Sequence, residues 1–298
     1  MRRLSALLLG LLITSFSGNV SAASFDVFVS ILPQKYFVQK LGGEYVHVMV
    51  MVSPGASPAT YEPRPGQMVA LSRAKAYFSI GVPFERTWLP RIKGLYKGLP
   101  IIRTEKGIEK EPLFNAWVKG LLKGRKNPPA SAHSGLDPHI WTSPALVMLQ
   151  ARTIMEGLSR VDPSHTADYE ANYRRFIKEL VDLDLEIRDT LLPRLRGKTF
   201  LVFHPSWGYF ARTYGLRQIA IEREGRGPGP RYLEKLIGFA RKNRVRAIFI
   251  QPQFSRKSAQ IIAQAIGARV ISADPLAEDW AQNLKDVAAA LRNTLEQP

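Results

Sequence analysis

The 298-residue chain contains no cysteine. That excludes disulfides, thiolate zinc sites, iron–sulfur clusters, cysteine nucleophiles and a lipid-modified cysteine anchor. Acidic residues are scarce, 25 Asp+Glu against 42 Lys+Arg, for a formal net charge of +17. Long apolar runs are missing except at the extreme N-terminus, and that one is too short to cross a bilayer, which needs about 20 residues. With 45% hydrophobic and 22% charged residues, the composition is that of an ordered globular protein. At about 150 residues per domain, the length suits two domains.

Arg2 and Arg3, the apolar run Leu4–Phe16 and the small residues Val20-Ser21-Ala22 form a signal peptide, with cleavage after Ala22. With no anchor cysteine, the expected destination is a Gram-negative periplasm. The basic excess is spread through runs such as Lys119–Lys126 and Arg241–Arg246 and reads as solvated surface, so no nucleic-acid partner is expected. A basic surface protein for acidic polymers is a rival reading, and it predicts binding that collapses with salt.

Short β-rich runs alternate with helical patterns in both halves. The first half offers strands at Asp26–Ile31, Val46–Val52, Ala76–Ile80 and Pro100–Arg103. The second offers Thr199–Phe203, Gln218–Glu222, Ala247–Gln251 and Val270–Ala273. Continuous apolar strands alternating with helices indicate an α/β fold with parallel sheets covered on both faces. Between the halves, Asp162 and Pro163 read as an N-cap and first helical residue. Tyr169, Tyr173, Phe176, Leu180, Leu183, Ile187 and Leu191 then recur at helical spacing up to Pro193. This predicts one long backbone helix of about 30 residues, about 43 Å long. The expected organisation is a signal peptide at 1–22, an N-terminal lobe at 23–161, the connecting helix at 162–193 and a C-terminal lobe at 194–298.

Open parallel sheets bind ligands beyond the carboxyl ends of their strands. His204 follows one predicted strand and Asp274 another, while His139 lies in the loop Asp137–Trp141 ahead of a helix starting near Pro144. Imidazole and carboxylate donors suit Zn²⁺, Mn²⁺ or Fe²⁺. His47 and His165 read as structural, and His133, six residues before His139, stands as an outlying extra donor. Trp141 and Trp207 adjoin the two site histidines and read as core. The glycines around Arg226 lack the arrangement of a phosphate loop, and no Ser-His-Asp elbow or paired-carboxylate signature is present. Two histidines and one carboxylate with open positions also fit a non-haem iron enzyme, a reading that predicts turnover.

Five motifs occur in order: Pro54–Pro63, with its Ala59-Thr60-Tyr61-Glu62-Pro63 end; Asp137-Pro138-His139-Ile140-Trp141; Phe203-His204-Pro205-Ser206-Trp207-Gly208-Tyr209-Phe210; Gln251-Pro252-Gln253-Phe254-Ser255; and Asp274-Pro275-Leu276. In these the chain resembles the zinc/manganese-type solute-binding proteins of ABC importers, along essentially its whole mature length. The resemblance implies two (β/α) lobes bridged by the long helix, with a metal in the cleft between them. It further implies a monomer that is not an enzyme and that delivers zinc, or Mn²⁺ or Fe²⁺, to an ABC permease in the inner membrane. Carried over position by position, the metal ligands are His139, His204 and Asp274. The family's first ligand does not carry over: Ala59 stands where its members typically have histidine.

Structural zinc sites yield about 10–16 kcal/mol over four ligands, so one missing ligand is worth about two to three decades of affinity. Water, His133 or Glu62 are the candidates for the vacancy. Water ranks first, because Glu62 reads as holding its loop through backbone hydrogen bonds. The loop Glu222–Arg231 carries Arg223, Arg226 and Arg231, whose forks suit carboxylate or phosphate. Together with Ala59 it frames an alternative, in which the same fold takes a metal chelate or an anion.

Overall fold

The computed structural model describes residues 24–113, 135–192, 194–222 and 227–296. The segment 1–22 expected to be a signal peptide, His133, Arg223 and Arg226 lie outside the described residues. The first half supplies β1 (Phe25–Val29), β2 (Val46–Val50), β3 (Ala76–Ser79) and β4 (Ile101–Arg103), in the order β2-β1-β3-β4. The second supplies β5 (Thr199–Val202), β6 (Arg217–Ala220), β7 (Ala247–Ile250) and β8 (Arg269–Ser272), in the order β6-β5-β7-β8. Every pairing between these strands is parallel. β3 and β7 are buried at every position, which is why these strands read as unbroken apolar runs. The α/β two-lobe architecture with parallel sheets is therefore the one expected from the sequence.

The helices are α1 (Leu32–Gly42), α2 (Pro65–Leu71), α3 (Pro83–Leu95), α4 (Pro144–Val161), α5 (Thr166–Leu191), α6 (Gly208–Thr213), α7 (Pro230–Lys242), α8 (Arg256–Ile266) and α9 (Trp280–Leu295). Proline opens α2, α3, α4 and α7, where its missing amide would have no helical partner. Among the described residues, no helix is long and apolar enough to cross a membrane.

α5 is the bridging helix, with 26 residues and a length of about 39 Å. Tyr169, Phe176, Leu180, Leu183, Ile187 and Leu191 form its buried stripe. It packs on α1, α4 and α9. Asp162 stands at the N-cap and Pro163 at the first position of a 3-10 turn, Pro163–His165, that runs directly into the α-helix at Thr166. The Asp162 carboxylate makes no bond to the backbone amides there; it accepts from Ser164 Oγ (2.9 Å) and the Tyr169 hydroxyl (2.5 Å) and meets His165 Nδ1 (2.7 Å).

α9 returns to the first half. Its Trp280 ring meets Phe37 edge-on at 4.9 Å and Tyr36 at 5.8 Å, and its indole N–H donates to the Trp141 carbonyl at 2.8 Å. One apolar core consequently runs through the first lobe, α5, α9 and one face of the second sheet. A smaller core fills the other face of that sheet beneath α7 and α8.

Candidate metal centre

Each sheet changes winding direction between its first and third strands, and a crevice opens there beyond the strand ends. In the second lobe this point lies between β5 and β7. Phe203 extends β5 by donating to the Phe249 carbonyl at 2.8 Å, and the next residue, His204, emerges at the crevice. Gln251, just past β7, clamps the His204 backbone: its Oε1 accepts from His204 N (3.2 Å) and its Nε2 donates to His204 O (2.8 Å). Glu222 follows β6, the other neighbour of β5, and holds His204 Nδ1 at 2.6 Å. Phe254 stacks on the imidazole at 5.2 Å.

His139 arrives from the first lobe. Asp137 Oδ1 accepts from both His139 N (2.9 Å) and His139 Nδ1 (2.7 Å), which fixes the ring against its own loop. Gly208 opposite makes this possible, because a Cβ there would press on Asp137 Oδ2 at 2.9 Å. Tyr209 ties the lobes together by donating to the Asp137 carbonyl (3.1 Å) and accepting from Glu111 N (3.0 Å). Trp141 packs against His139 at 5.1 Å and donates to the Pro275 carbonyl at 2.6 Å. It is therefore both core, as read from the sequence, and wall of the site. Trp207 is core alone.

The two imidazoles meet at 5.2 Å between ring centroids, inclined at 76°. With each Nδ1 engaged by a carboxylate, Nε2 is the lone-pair donor left on each ring, the arrangement that prepares histidines for a metal. Burial holds the His139 pKa below the ordinary histidine value, with Asp137 pulling the other way, so the ring is neutral at physiological pH. Around the pair lies a cavity of about 920 Å³ between the lobes, whose lining includes Ala59, Lys110, Trp141 and Gln253.

Asp274 stands apart. It follows β8, two strands away from β5. Its Oδ1 accepts from Leu276 N (2.9 Å) and Gln253 Nε2 (3.3 Å), and it is not part of the cavity lining. Among the described residues, no group of three or more histidines and carboxylates is close enough to hold a metal ion. The structure thus brings together His139 and His204 and leaves Asp274 at the rim.

Glu62 is exposed and outside the cavity. The expectation that it holds its loop is corrected, because Gln67 does so. Gln67 Oε1 accepts from Arg64 N (3.0 Å) and the Tyr61 hydroxyl (2.6 Å), while Nε2 donates to the carbonyls of Val50 (3.2 Å) and Met51 (2.6 Å). The sequence reading passed over Asp137, Glu222 and Gln251 as partners of the histidines. The signals were present: an acid two residues before one histidine, and an acid at the end of the strand beside the other.

Two parallel-sheet lobes around a cavity, with two oriented imidazole donors on its wall, have the form of a protein that captures a ligand between its lobes. The chain belongs to the family described as ZnuA, zinc-uptake complex component A, periplasmic, which matches residues 27–296. The family is the periplasmic metal-binding component of a transport system. A putative metal-binding protein of Treponema pallidum is 31% identical over 82% of this chain and 77% of its own length. The high-affinity zinc uptake system protein ZnuA of Bacillus subtilis is 26% identical over 86% of this chain and 80% of its own. A crystal structure of a ZnuA deletion mutant with zinc bound superposes with a TM-score of 0.83 at 42% identity, covering 93% of this chain and all of that one.

Proposed function

We propose that this protein captures zinc in the periplasm, after export directed by residues 1–22, and hands it to an ABC permease of the inner membrane. The observation that carries this reading is the pair of facing imidazoles, each with Nδ1 held by a buried carboxylate. His139 and His204 bind the metal through Nε2. Asp274 adds an oxygen once it gives up its long bond to Gln253. Ala59 contributes nothing, so at least one coordination position stays open to a non-protein donor. The same donors accept Mn²⁺ and Fe²⁺, and availability decides among them.

Calorimetric titration of the EDTA-stripped mature protein with Zn²⁺ tests the assignment. Wild type takes up one equivalent. His139→Ala and His204→Ala each weaken binding by about two to three decades, the share of one ligand at about 3–4 kcal/mol. Zinc bound equally well by the double variant would refute the site.

A further inference from the structure

The cavity is larger and more basic than a bare cation requires. Zn²⁺ lies about 2.0–2.1 Å from an imidazole nitrogen, so a bare ion fills little space. Yet the space around them amounts to about 920 Å³, within the roughly 300–1,000 Å³ that encloses small organic ligands. Arg86, Arg103, Lys106 and Lys110 line it, against the carboxylates Glu105 and Glu222. Glu222 is committed to His204, and Glu105 Oε1 to Arg103 Nε at 2.9 Å. Among the described residues, no carboxylate pairs with Arg86 or Lys106. A wall of this sign opposes a free dication and attracts an anion.

One detail shows that the wall is built. Lys110 donates to the Ile80 carbonyl at 3.1 Å and lies against Gly81, where any Cβ would collide with its ammonium.

From this geometry we infer that zinc enters the cleft as a complex with a small di- or tricarboxylate. The metal bridges His139 and His204 while ligand oxygens fill the position that Ala59 leaves open. Ligand carboxylates meet Arg86, Lys106 and Lys110. The inference rests on the proposed zinc site, and its test separates the two.

Metal-stripped mature protein is dialysed to equilibrium against radiolabelled citrate and malate, with and without one equivalent of Zn²⁺. One equivalent of at least one label is retained with zinc, and at least tenfold more weakly without it. Arg86→Ala/Lys106→Ala, both exposed positions, weakens that retention about tenfold. Arg256→Ala/Lys257→Ala removes the same charge from α8, outside the cavity, and leaves retention unchanged. Zinc bound with neither label retained overturns the chelate and leaves the zinc site standing. A label held equally well without zinc overturns it in favour of a plain anion site. Failure to bind zinc in any form removes the zinc site and this inference with it.

Discussion

The two sheets offer the same crevice twice, and the chain uses the two differently. In the first lobe the gap between β1 and β3 is closed by the protein's own side chains. Glu85 takes hydrogen bonds from Ile80 N (2.9 Å), Gly81 N (2.8 Å) and the Ser30 hydroxyl, and Ser30 in turn contacts the Tyr77 hydroxyl at 2.9 Å. Gln34 spans the same gap by accepting from Ser30 N (3.0 Å) and donating to the Phe78 carbonyl (3.2 Å). In the second lobe a glutamine again clamps the gap, but Gln251 grips only backbone and Ser206, and the imidazole of His204 is left facing the cavity. Topology therefore supplies two equivalent places for a ligand, and the residue set at each decides which one is plugged and which one binds.

This contrast can be broken from the plugged side first. Glu85→Ala strands three buried donors at about 1–3 kcal/mol each. It is expected to remove about 3 kcal/mol or more from urea-measured stability, and a loss below about 1 kcal/mol would mean that the network does not close the lobe. Nearly as large is a pH effect. Burial pushes the Glu85 pKa up to about 7 from 4.5, so the folded state holds this proton more tightly than the unfolded chain does. The associated stability is complete below about pH 4.5 and is lost as pH rises through about 7, at most about 3 kcal/mol. Melting at pH 5 and pH 8 should therefore show a smaller difference between the two values for Glu85→Gln than for wild type, once the other titrating groups, common to both, are subtracted.

On the open side the expected effect is smaller and of another kind. Glu222→Gln keeps an acceptor for His204 Nδ1 but removes the negative charge that makes the ring a stronger metal ligand, which should weaken zinc about 10–100-fold with little change in melting temperature. Unaltered zinc affinity would show that Glu222 serves packing alone and that the two crevices differ less than their geometry suggests.

The alternation of apolar strands and helices made the α/β fold legible, and reading past the strand ends found His204 and Asp274, while His139 was read from a loop ahead of a helix. What stayed hidden depended on strand order, which the sequence does not spell out. Asp274 and Glu222 look alike as acids after strands. Only the order β6-β5-β7-β8 puts Glu222 beside His204 and Asp274 two strands off. Asp162 and Pro163 marked the helical start correctly, but the Tyr169 hydroxyl that takes up the carboxylate appears only once the helix has wound back over the turn. Gln67 was overlooked because an amide that satisfies four separate groups leaves no periodic trace.

The seating of Trp280 among Tyr36, Phe37 and Phe176 also bears on how the molecule is made. Residues about 240 positions apart share one aromatic cluster, so the first lobe cannot finish its interior until the chain has been delivered as far as α9. Contacts of such long sequence separation close slowly. A polypeptide emerging N-terminus first thus stays incompletely packed until α9 is made, which is the state in which a chain can still be threaded through a narrow pore.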